Sequence, residues 1–569
     1  MKIVEKMKIY KCLALFLGLL AGLTSAAQQA NTAFRLLEME QYNQAKQLYI
    51  RNLNAAQGAM DWFYLGKIYA IQQNADSAKY CFAKVSELDS KNPLSLVGQG
   101  MVEYMSGNQA QAQLTLEKSQ RAAISYRDVN AMTEIAAARY LAGDTLKWQI
   151  TLELASEIDK KNPRPYIIGG NLYTLMGEAS GKSHFYGLAS GRYHQALYLQ
   201  PDNAEALTRL SAIDIRILNY DDAETMLRKV IKADSLYLPA LKNMGELMYT
   251  LGRYREASEF YSKYMQLAEY TDKDLVRYVN ILFLNKQYAL AGEYINKVLK
   301  VNPANPVMLR LKGYTSYELN QNKEGLDAMK KFFALRAGAD AGKLLATDFE
   351  YYGKLLARSG SDSLAVLNLQ KSIEMDAEKN SLLEDIAKLY EKMKRYPEAI
   401  QYYEKLVEAK NENVPSIIFF NMGKDLLLLA DRAKETSDSL LRPAYLQKSV
   451  TAFSKVVDMS PASYLGYQWR ARALAALDPA STQGSAKPDY EKALEMLELK
   501  NEPKKYSSDL IEAYRYLGYF HYLQYDAVKK NGDADAREKS KNESLAYWQK
   551  VLLLDPNNDI AKQAIAALK

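Results

Sequence analysis

The residue types that carry out most enzyme chemistry are sparse in this chain of 569 residues. Its three histidines, His184, His194 and His521, stand in no HExxH or Cys-His pattern that would bind zinc. No GxxxxGK[ST] or GxGxxG sequence is present to bind phosphates. Cys81 adjoins Phe82 in an apolar helical pattern, which predicts a buried structural thiol. We expect no catalytic residue, no cofactor and no metal, so the chain is predicted not to be an enzyme. A metal site or acid/base pair assembled from distant segments stays an open alternative.

The clearest pattern in the sequence is a pair of amphipathic runs between residues 238 and 271. In both runs apolar residues recur at the spacing of a helix, and Gly252-Arg253 separates them. A small residue stands in each run, at Gly245 and Ala257, where two helices would cross closely. The pattern predicts a helical hairpin that repeats after 34 residues.

Four residues of this hairpin, Gly245, Tyr254, Ala257 and Tyr261, match the tetratricopeptide repeat (TPR) pattern, which the segment resembles. The same register fits nearly the whole chain. Its starts lie near Ala26, Ala59, Pro93, Val129, Pro163, Ala204, Leu238, Asp272, Pro306, Ala346, Asn380, Ser416, Tyr464 and Ile511. The resemblance implies an all-α fold. We expect an α-solenoid, a right-handed TPR superhelix of about 14 helical hairpins plus a C-terminal capping helix at 559–569.

Breaks in the register divide the predicted array. It slips between Leu335 and Thr347, which predicts a bend between an N-terminal TPR array at 28–338 and a C-terminal TPR array at 339–569. An extra stretch at 177–188 is too rich in glycine and serine for a helix interior. Charged insertions near 433–443 and 529–542 fall between the two helices of a hairpin, so we expect them to lengthen those helices. Whether these three insertions are functional is left open.

Residues 1–27 have the pattern of a secretory signal peptide, with a basic stretch to Lys11 and an apolar core from Leu13 to Leu23. We expect cleavage after Ala27 or one residue earlier, and the apolar core is too short to span a bilayer. Cys12 lies before that core, which disfavours a lipoprotein. The expected location is periplasmic, and association with the outer membrane through a partner stays open.

Charge disfavours nucleic-acid binding. The formal net charge is +7, and +3 of it lies in the first dozen residues. Elsewhere Lys and Arg are interspersed with Asp and Glu, and no long basic stripe forms. The last hundred or so residues, including the segment LDPASTQGSAKPDYEKALEML around Pro488, resemble the end of secreted TPR proteins of Bacteroidota-type bacteria. This resemblance suggests a lineage and a compartment without assigning an activity.

In TPR proteins the first helix of each hairpin lines a concave groove, and the resemblance implies the same here. The candidate partner-binding residues are Asn171, Tyr249, Asn280, Phe283, Arg310, Tyr314, Tyr317, Phe420, Tyr519 and Tyr522. Arg472 and Arg515 occupy further inward positions. Tyrosine and arginine suit protein interfaces. The alternative is that these tyrosines pack between helices.

The leading hypothesis is a non-enzymatic scaffold or adaptor of the cell envelope, which binds a peptide or helix of a protein partner in the groove. No direct membrane span is expected, and the oligomeric state is open. One alternative is a periplasmic module that binds peptidoglycan or another glycan, with tyrosines stacking on sugars. Another is an accessory factor of an envelope secretion or energy-transducing machine. A chaperone-tail clamp is disfavoured because Ile167 and Val276 stand where Asn171 and Asn280 would need an upstream lysine.

Overall fold

A computed structural model describes residues 26–55, 58–144, 146–336, 344–433, 440–529 and 534–569. These residues form 29 α-helices, and no β-strand occurs among them. The chain divides into two compact units, one ending at Lys297 and the other beginning at Val298. The predicted signal peptide at 1–27 lies outside the described residues except for its last two, which begin the first helix.

Helices of the N-terminal unit alternate between the first and the second helix of a hairpin. They are α1 (Ala26–Glu38), α2 (Tyr42–Ala55), α3 (Ala59–Ile71), α4 (Ala75–Leu88), α5 (Pro93–Met105), α6 (Gln109–Ser125), α7 (Val129–Leu141), α8 (Lys147–Ile158), α9 (Arg164–Ser180), α10 (His184–Leu199), α11 (Ala204–Arg216), α12 (Tyr220–Ala233), α13 (Leu238–Thr250), α14 (Tyr254–Leu267), α15 (Asp272–Leu284) and α16 (Tyr288–Val301). The division between the units falls inside α16.

The C-terminal unit continues the alternation. Its helices are α17 (Pro306–Glu318), α18 (Asn322–Leu335), α19 (Ala346–Arg358), α20 (Asp362–Met375), α21 (Leu382–Lys392), α22 (Tyr396–Lys410), α23 (Ser416–Ala433), α24 (Arg442–Met459), α25 (Tyr464–Leu477), α26 (Lys487–Leu499), α27 (Ser507–Lys529), α28 (Ala534–Leu554) and α29 (Asp559–Leu568). The predicted solenoid of hairpins with a final single helix is confirmed.

Several hairpins close through a glycine of the first helix that faces a large side chain of the second. A Cβ atom on Gly245 of α13 would lie 2.7 Å from the ring of Tyr261 in α14, and that ring is fully buried. Gly252 makes the turn between the two helices with φ of +71°, a conformation that glycine adopts without strain. The close crossing predicted at Gly245 is therefore confirmed.

The first helices form the concave layer of each unit. In the N-terminal unit α3 contacts α5, α5 contacts α7, α7 contacts α9, α9 contacts α11 and α11 contacts α13. In the C-terminal unit α17 contacts α19, and α23 contacts α25. Across the described ranges, the second helices of successive hairpins make no comparable contacts. Closer spacing of the first helices curves the stack toward them.

The expectation for 177–188 was wrong, because most of this segment is helical. Helix α9 continues to Ser180 and α10 starts at His184. A Cβ atom on Gly177 would lie 2.8 Å from the ring of Tyr186, which is 8% exposed. The glycine thus lets two helices approach, and this packing outweighs its low helix propensity.

The two charged insertions lengthen their helices as expected. Helices α23 and α24 have 18 residues each, and α27 and α28 have 23 and 21, whereas α13 and α14 have 13 and 14. Residues 434–439 and 530–533 of these insertions lie outside the described residues. The same holds for 337–343, most of the segment where we predicted a bend. The compact units divide about forty residues before the predicted domain boundary.

Candidate functional site

Of the residues with potential for chemistry, His521 and Cys81 are buried in the packing between helices, and His184 and His194 are exposed. Within the described ranges, no group of three His, Cys, Asp or Glu side chains could hold a metal ion. His521 is buried, its Nδ1 atom lies 2.9 Å from the Glu543 carboxylate, and burial lowers the pKa of its imidazole. Cys81 is also buried, and burial raises the pKa of its thiol to about 11. A protonated thiol is a poor nucleophile, so the interpretation of Cys81 as a structural residue is supported.

The predicted groove residues of the N-terminal unit lie on first helices and contact their neighbours. The side-chain amide of Asn171 donates to Glu205 at 2.9 Å and accepts from the Tyr193 hydroxyl at 2.8 Å. The guanidinium of Arg277 lies 4.3 Å from the ring centre of Tyr249, which is half-buried. These contacts tie one hairpin to the next.

Two further candidates of this unit lie on α15. Asn280 donates to the carbonyl of Val276 in its own helix at 2.9 Å. The ring centres of Phe283 and Tyr288 are 5.4 Å apart. Both candidates are half-buried on the concave layer.

In the C-terminal unit, Arg310 and Tyr314 bind Asp348 at the start of α19. The Arg310 guanidinium donates from Nη2 to Oδ2 of Asp348 at 2.8 Å, and the Tyr314 hydroxyl donates to Oδ1 at 2.6 Å. Asp348 is fully buried and also accepts from the backbone N–H of Leu345 at 2.7 Å. Burial raises the pKa of Tyr314. Packing between helices, the alternative stated for the tyrosines, describes Tyr314, which is 5% exposed.

Tyr317 and Phe420 lie in aromatic clusters of the same unit. The guanidinium of Arg358 lies 3.6 Å from the ring centre of Tyr317. The rings of Phe420 and Trp469 meet edge to face at 5.5 Å. Both predicted residues are half-buried, so part of each ring faces solvent.

A cavity of about 1070 Å³ opens beside α27, the first helix of the last hairpin. The two predicted tyrosines Tyr519 and Tyr522 line it, and Tyr519 is 42% exposed. The other lining residues are Tyr490, Ser507, Ser508, Ile511, Glu512, Arg515, Tyr516, Trp548, Ile560, Gln563, Ala564 and Ala567. The sequence does not predict the wall that α29 forms, because the run of Lys, Ala and Ile residues at 559–569 indicates only a solvating helix.

Arg515 is exposed in this cavity, and no ion pair forms between its guanidinium and any residue that the structure describes. Glu512 lies one turn away on the same helix, but it forms an ion pair with Arg472 of the preceding hairpin. The Nε and Nη2 atoms of Arg472 donate to the two oxygens of Glu512 at 2.8 and 2.6 Å. The cavity therefore combines an available guanidinium with exposed aromatic and apolar surface. A carboxylate next to an apolar side chain fits such a site.

Among the described residues, no helix combines the length and the apolar character needed to cross a bilayer.

Comparison with known proteins identifies several that this chain is similar to. A family model described as tetratricopeptide repeat matches residues 381–413, which hold α21 and α22. The solved C-terminal part of a TPR repeat-containing protein from Cytophaga hutchinsonii is 30% identical, with a TM-score of 0.39. The match covers 51% of this chain and 99% of that one.

Curated relatives are more distant. Superkiller complex protein 3 of Mus musculus is 24% identical over 58% of this chain and 20% of its own length. Anaphase-promoting complex subunit 3 of Schizosaccharomyces pombe is 19% identical over 56% of this chain and 48% of its own length. The chain thus spans half or less of the length of these two curated relatives.

Proposed function

We propose that this chain, which belongs to the tetratricopeptide repeat proteins, is a non-enzymatic scaffold that binds a segment of another protein on the concave face of its C-terminal unit. The observation that carries the proposal is the cavity beside α27, where Arg515 has no ion pair with any described residue and lies near the exposed ring of Tyr519. The ligand we propose is a peptide or helix that brings a carboxylate to Arg515 and an apolar side chain to Ile511 and Ile560.

Energetics favour this cavity over the other predicted positions. Arg310 and Tyr314 already bind Asp348, so a ligand would have to break buried hydrogen bonds to use them. Arg515 instead keeps its donors available to a bidentate carboxylate. Tyr519 adds contact area at a low cost in side-chain entropy. Tyrosine and arginine are both enriched in binding hot spots.

The proposed setting is the cell envelope, with the mature chain in the periplasm. Support comes from the signal-like pattern of residues 1–27 and from the resemblance of the C-terminal hundred residues to secreted TPR proteins. An accessory role in an envelope secretion or energy-transducing machine fits the same setting.

Cross-linking of captured partners tests the proposal. Tagged mature chain would be purified from its own envelope fraction beside an Arg515→Ala/Tyr519→Ala variant. The control is Arg121→Ala/Tyr198→Ala, which removes the same residue types from exposed positions on the second helices α6 and α10. We expect wild type and control to capture the same proteins and the cavity variant to lose them. The circular dichroism spectra of all three proteins should be the same.

Mass spectrometry of cross-linked wild type should place a partner segment against 507–519 or 560–567. Cross-links confined to the other hairpins would refute this site.

A glycan ligand is the second candidate, favoured by the exposed ring of Tyr519. Aromatic rings stack on sugars as well as on protein side chains. The same three proteins would be sedimented with purified peptidoglycan. Binding by wild type that the cavity variant loses, together with an empty protein capture, would replace the scaffold by a glycan-binding module.

A further inference from the structure

The turn between α1 and α2, which we call the tip and define as residues 38–44, buries two of its side chains, Met39 and Gln41. Directly after the first helix of the sixth and seventh hairpins, the apolar residues Ile217 and Leu251 are 62% and 38% exposed. At the same position of the first hairpin, Met39 is 7% exposed, and nearby Gln41 is 3% exposed. Later hairpins of the N-terminal unit must therefore cover the tip.

Two ion pairs join the tip to the concave layer. Oε1 of Glu38 accepts a hydrogen bond from Nη1 of Arg164 at 3.1 Å, and Oε1 of Glu40 accepts one from Nη2 of Arg209 at 2.9 Å. Arg164 begins α9 and Arg209 lies in the middle of α11. Both arginines thus stand on the first helices of the fifth and sixth hairpins, where TPR proteins receive ligands.

The loop before α15 caps α2 from outside. The Glu269 carboxylate accepts hydrogen bonds from the backbone N–H groups of Asn43 and Gln44 at 3.0 and 2.6 Å. The backbone N–H of Glu269 donates to the side chain of Gln41 at 2.6 Å, and Gln44 donates to the carbonyl of Leu267 at 3.0 Å. First-turn amides have no partner inside their own helix, and here a residue more than two hundred positions away supplies one.

Arg164 depends on the tip for its main carboxylate partner. Its Nη2 atom lies 3.7 Å from Glu134, whose carboxylate is already held by Lys67 at 2.5 Å. The guanidinium also lies 4.9 Å from the ring centre of Phe34 in α1. Glu38 therefore completes the pairing of Arg164.

We propose that Arg164 and Arg209 form a binding site for an acidic protein segment with two carboxylates two residues apart, and that the tip occupies this site as a displaceable internal ligand. The contacts that hold the tip are mainly polar, and Glu40 and Arg209 keep 57% and 36% of their side chains exposed. Partly exposed ion pairs are weak singly and are screened by salt. The tip remains bound because the same chain supplies it at a high effective concentration. A partner segment with the same carboxylate spacing would compete for both arginines.

A labelled peptide with the sequence of residues 36–44, LLEMEQYNQ, tests the proposal on the full chain. The opened variant is Glu38→Ala/Glu40→Ala, which removes both carboxylates of the tip. At low salt we expect fluorescence anisotropy to show binding at least about ten-fold tighter to this variant than to wild type, because the apparent Kd rises with the fraction of occupied sites. Adding Arg164→Ala/Arg209→Ala to the opened variant should abolish binding. Changing both glutamates of the peptide to glutamine should do the same.

Controls separate release of the tip from damage to the fold. Glu259→Ala removes an exposed carboxylate of α14 outside the tip contacts and should behave as wild type. In the opened variant the amides of Asn43 and Gln44 should exchange hydrogen at least ~10-fold faster than in wild type, and the protection of α9 and α11 should be unchanged.

If the alanine variant does not fold, Glu38→Gln/Glu40→Gln replaces it. Equal peptide binding to wild type and opened variant would overturn the proposal, as would no binding to an opened variant with wild-type helicity. Neither outcome bears on the cavity beside α27, so the two proposals fail separately.

Discussion

Replacing Asp348 by alanine should destabilise the start of the C-terminal unit strongly. Asp348 is fully buried and accepts hydrogen bonds from Arg310, Tyr314 and the backbone of Leu345. Its removal would take away the carboxylate that accepts hydrogen bonds from the Arg310 guanidinium and the Tyr314 hydroxyl between α17 and α19. It would also remove the cap of the first turn of α19.

The magnitude follows from these losses. Breaking a buried ion pair by deleting one partner costs about 3–5 kcal/mol. The side chain of Arg310 is 18% exposed, so water would partly solvate it, which places the ion-pair loss at the lower end of that range. Losing a helix cap adds about 1 kcal/mol. We expect a total of roughly 3–4 kcal/mol.

Native-state hydrogen exchange is the suitable assay, because a repeat array can open locally without unfolding as a whole. The amides of α17, α18 and α19 should lose protection by roughly 3–4 kcal/mol in Asp348→Ala. Asp327→Ala, which removes an exposed carboxylate of the intervening helix α18, is the matched control and should change protection by less than about 0.5 kcal/mol. Equal protection in the two variants would refute the assigned role of Asp348. The same network implies that replacing Arg310, Tyr314 and Tyr317 together would destabilise the unit as well as alter its surface.

Two further predictions concern packing and pH. Gly170→Ala should lower the free energy of unfolding by about 1–3 kcal/mol, because its new Cβ atom would lie 2.5 Å from the Tyr193 ring. Gly187→Ala, whose Cβ atom has no neighbour within 4 Å, should stabilise α10 by up to about 1 kcal/mol. Thermal denaturation of both variants measures this difference, and equal melting temperatures would contradict it. Burial and the neighbouring Glu391 carboxylate raise the pKa of Asp425 to about 8, so between pH 4 and pH 8 the folded state binds more protons than the unfolded state. The free energy of unfolding should therefore be highest below pH 4 and fall as the pH rises toward 8, by up to about 1.4 kcal/mol per pH unit. Urea denaturation at pH 5 and pH 7 should show this loss in wild type and a smaller one in Asp425→Asn; identical slopes would exclude Asp425 as its source.

The cavity was only partly predictable. Tyr519 and Tyr522 follow from the repeat register, which assigns first-helix positions to the concave face. Glu512 pairs with Arg472, 40 positions earlier, whereas Arg515 has no ion pair with any described residue, and this difference depends on how two hairpins stack. Acidic and basic residues are frequent along these helices, and their sequence spacing does not select which of them meet.

The sequence by itself determined the repeating hairpin, because its signals are local. A glycine facing a large ring, as at Gly245 and Tyr261, and a period of 34 residues record contacts within one hairpin and with the next. Tertiary structure decided the rest. Gly177 lies inside a helix and packs against Tyr186 of the next helix, and Glu40 meets Arg209 across 169 positions. Such contacts depend on small rotations accumulated over several hairpins, and no local pattern of residues encodes that sum.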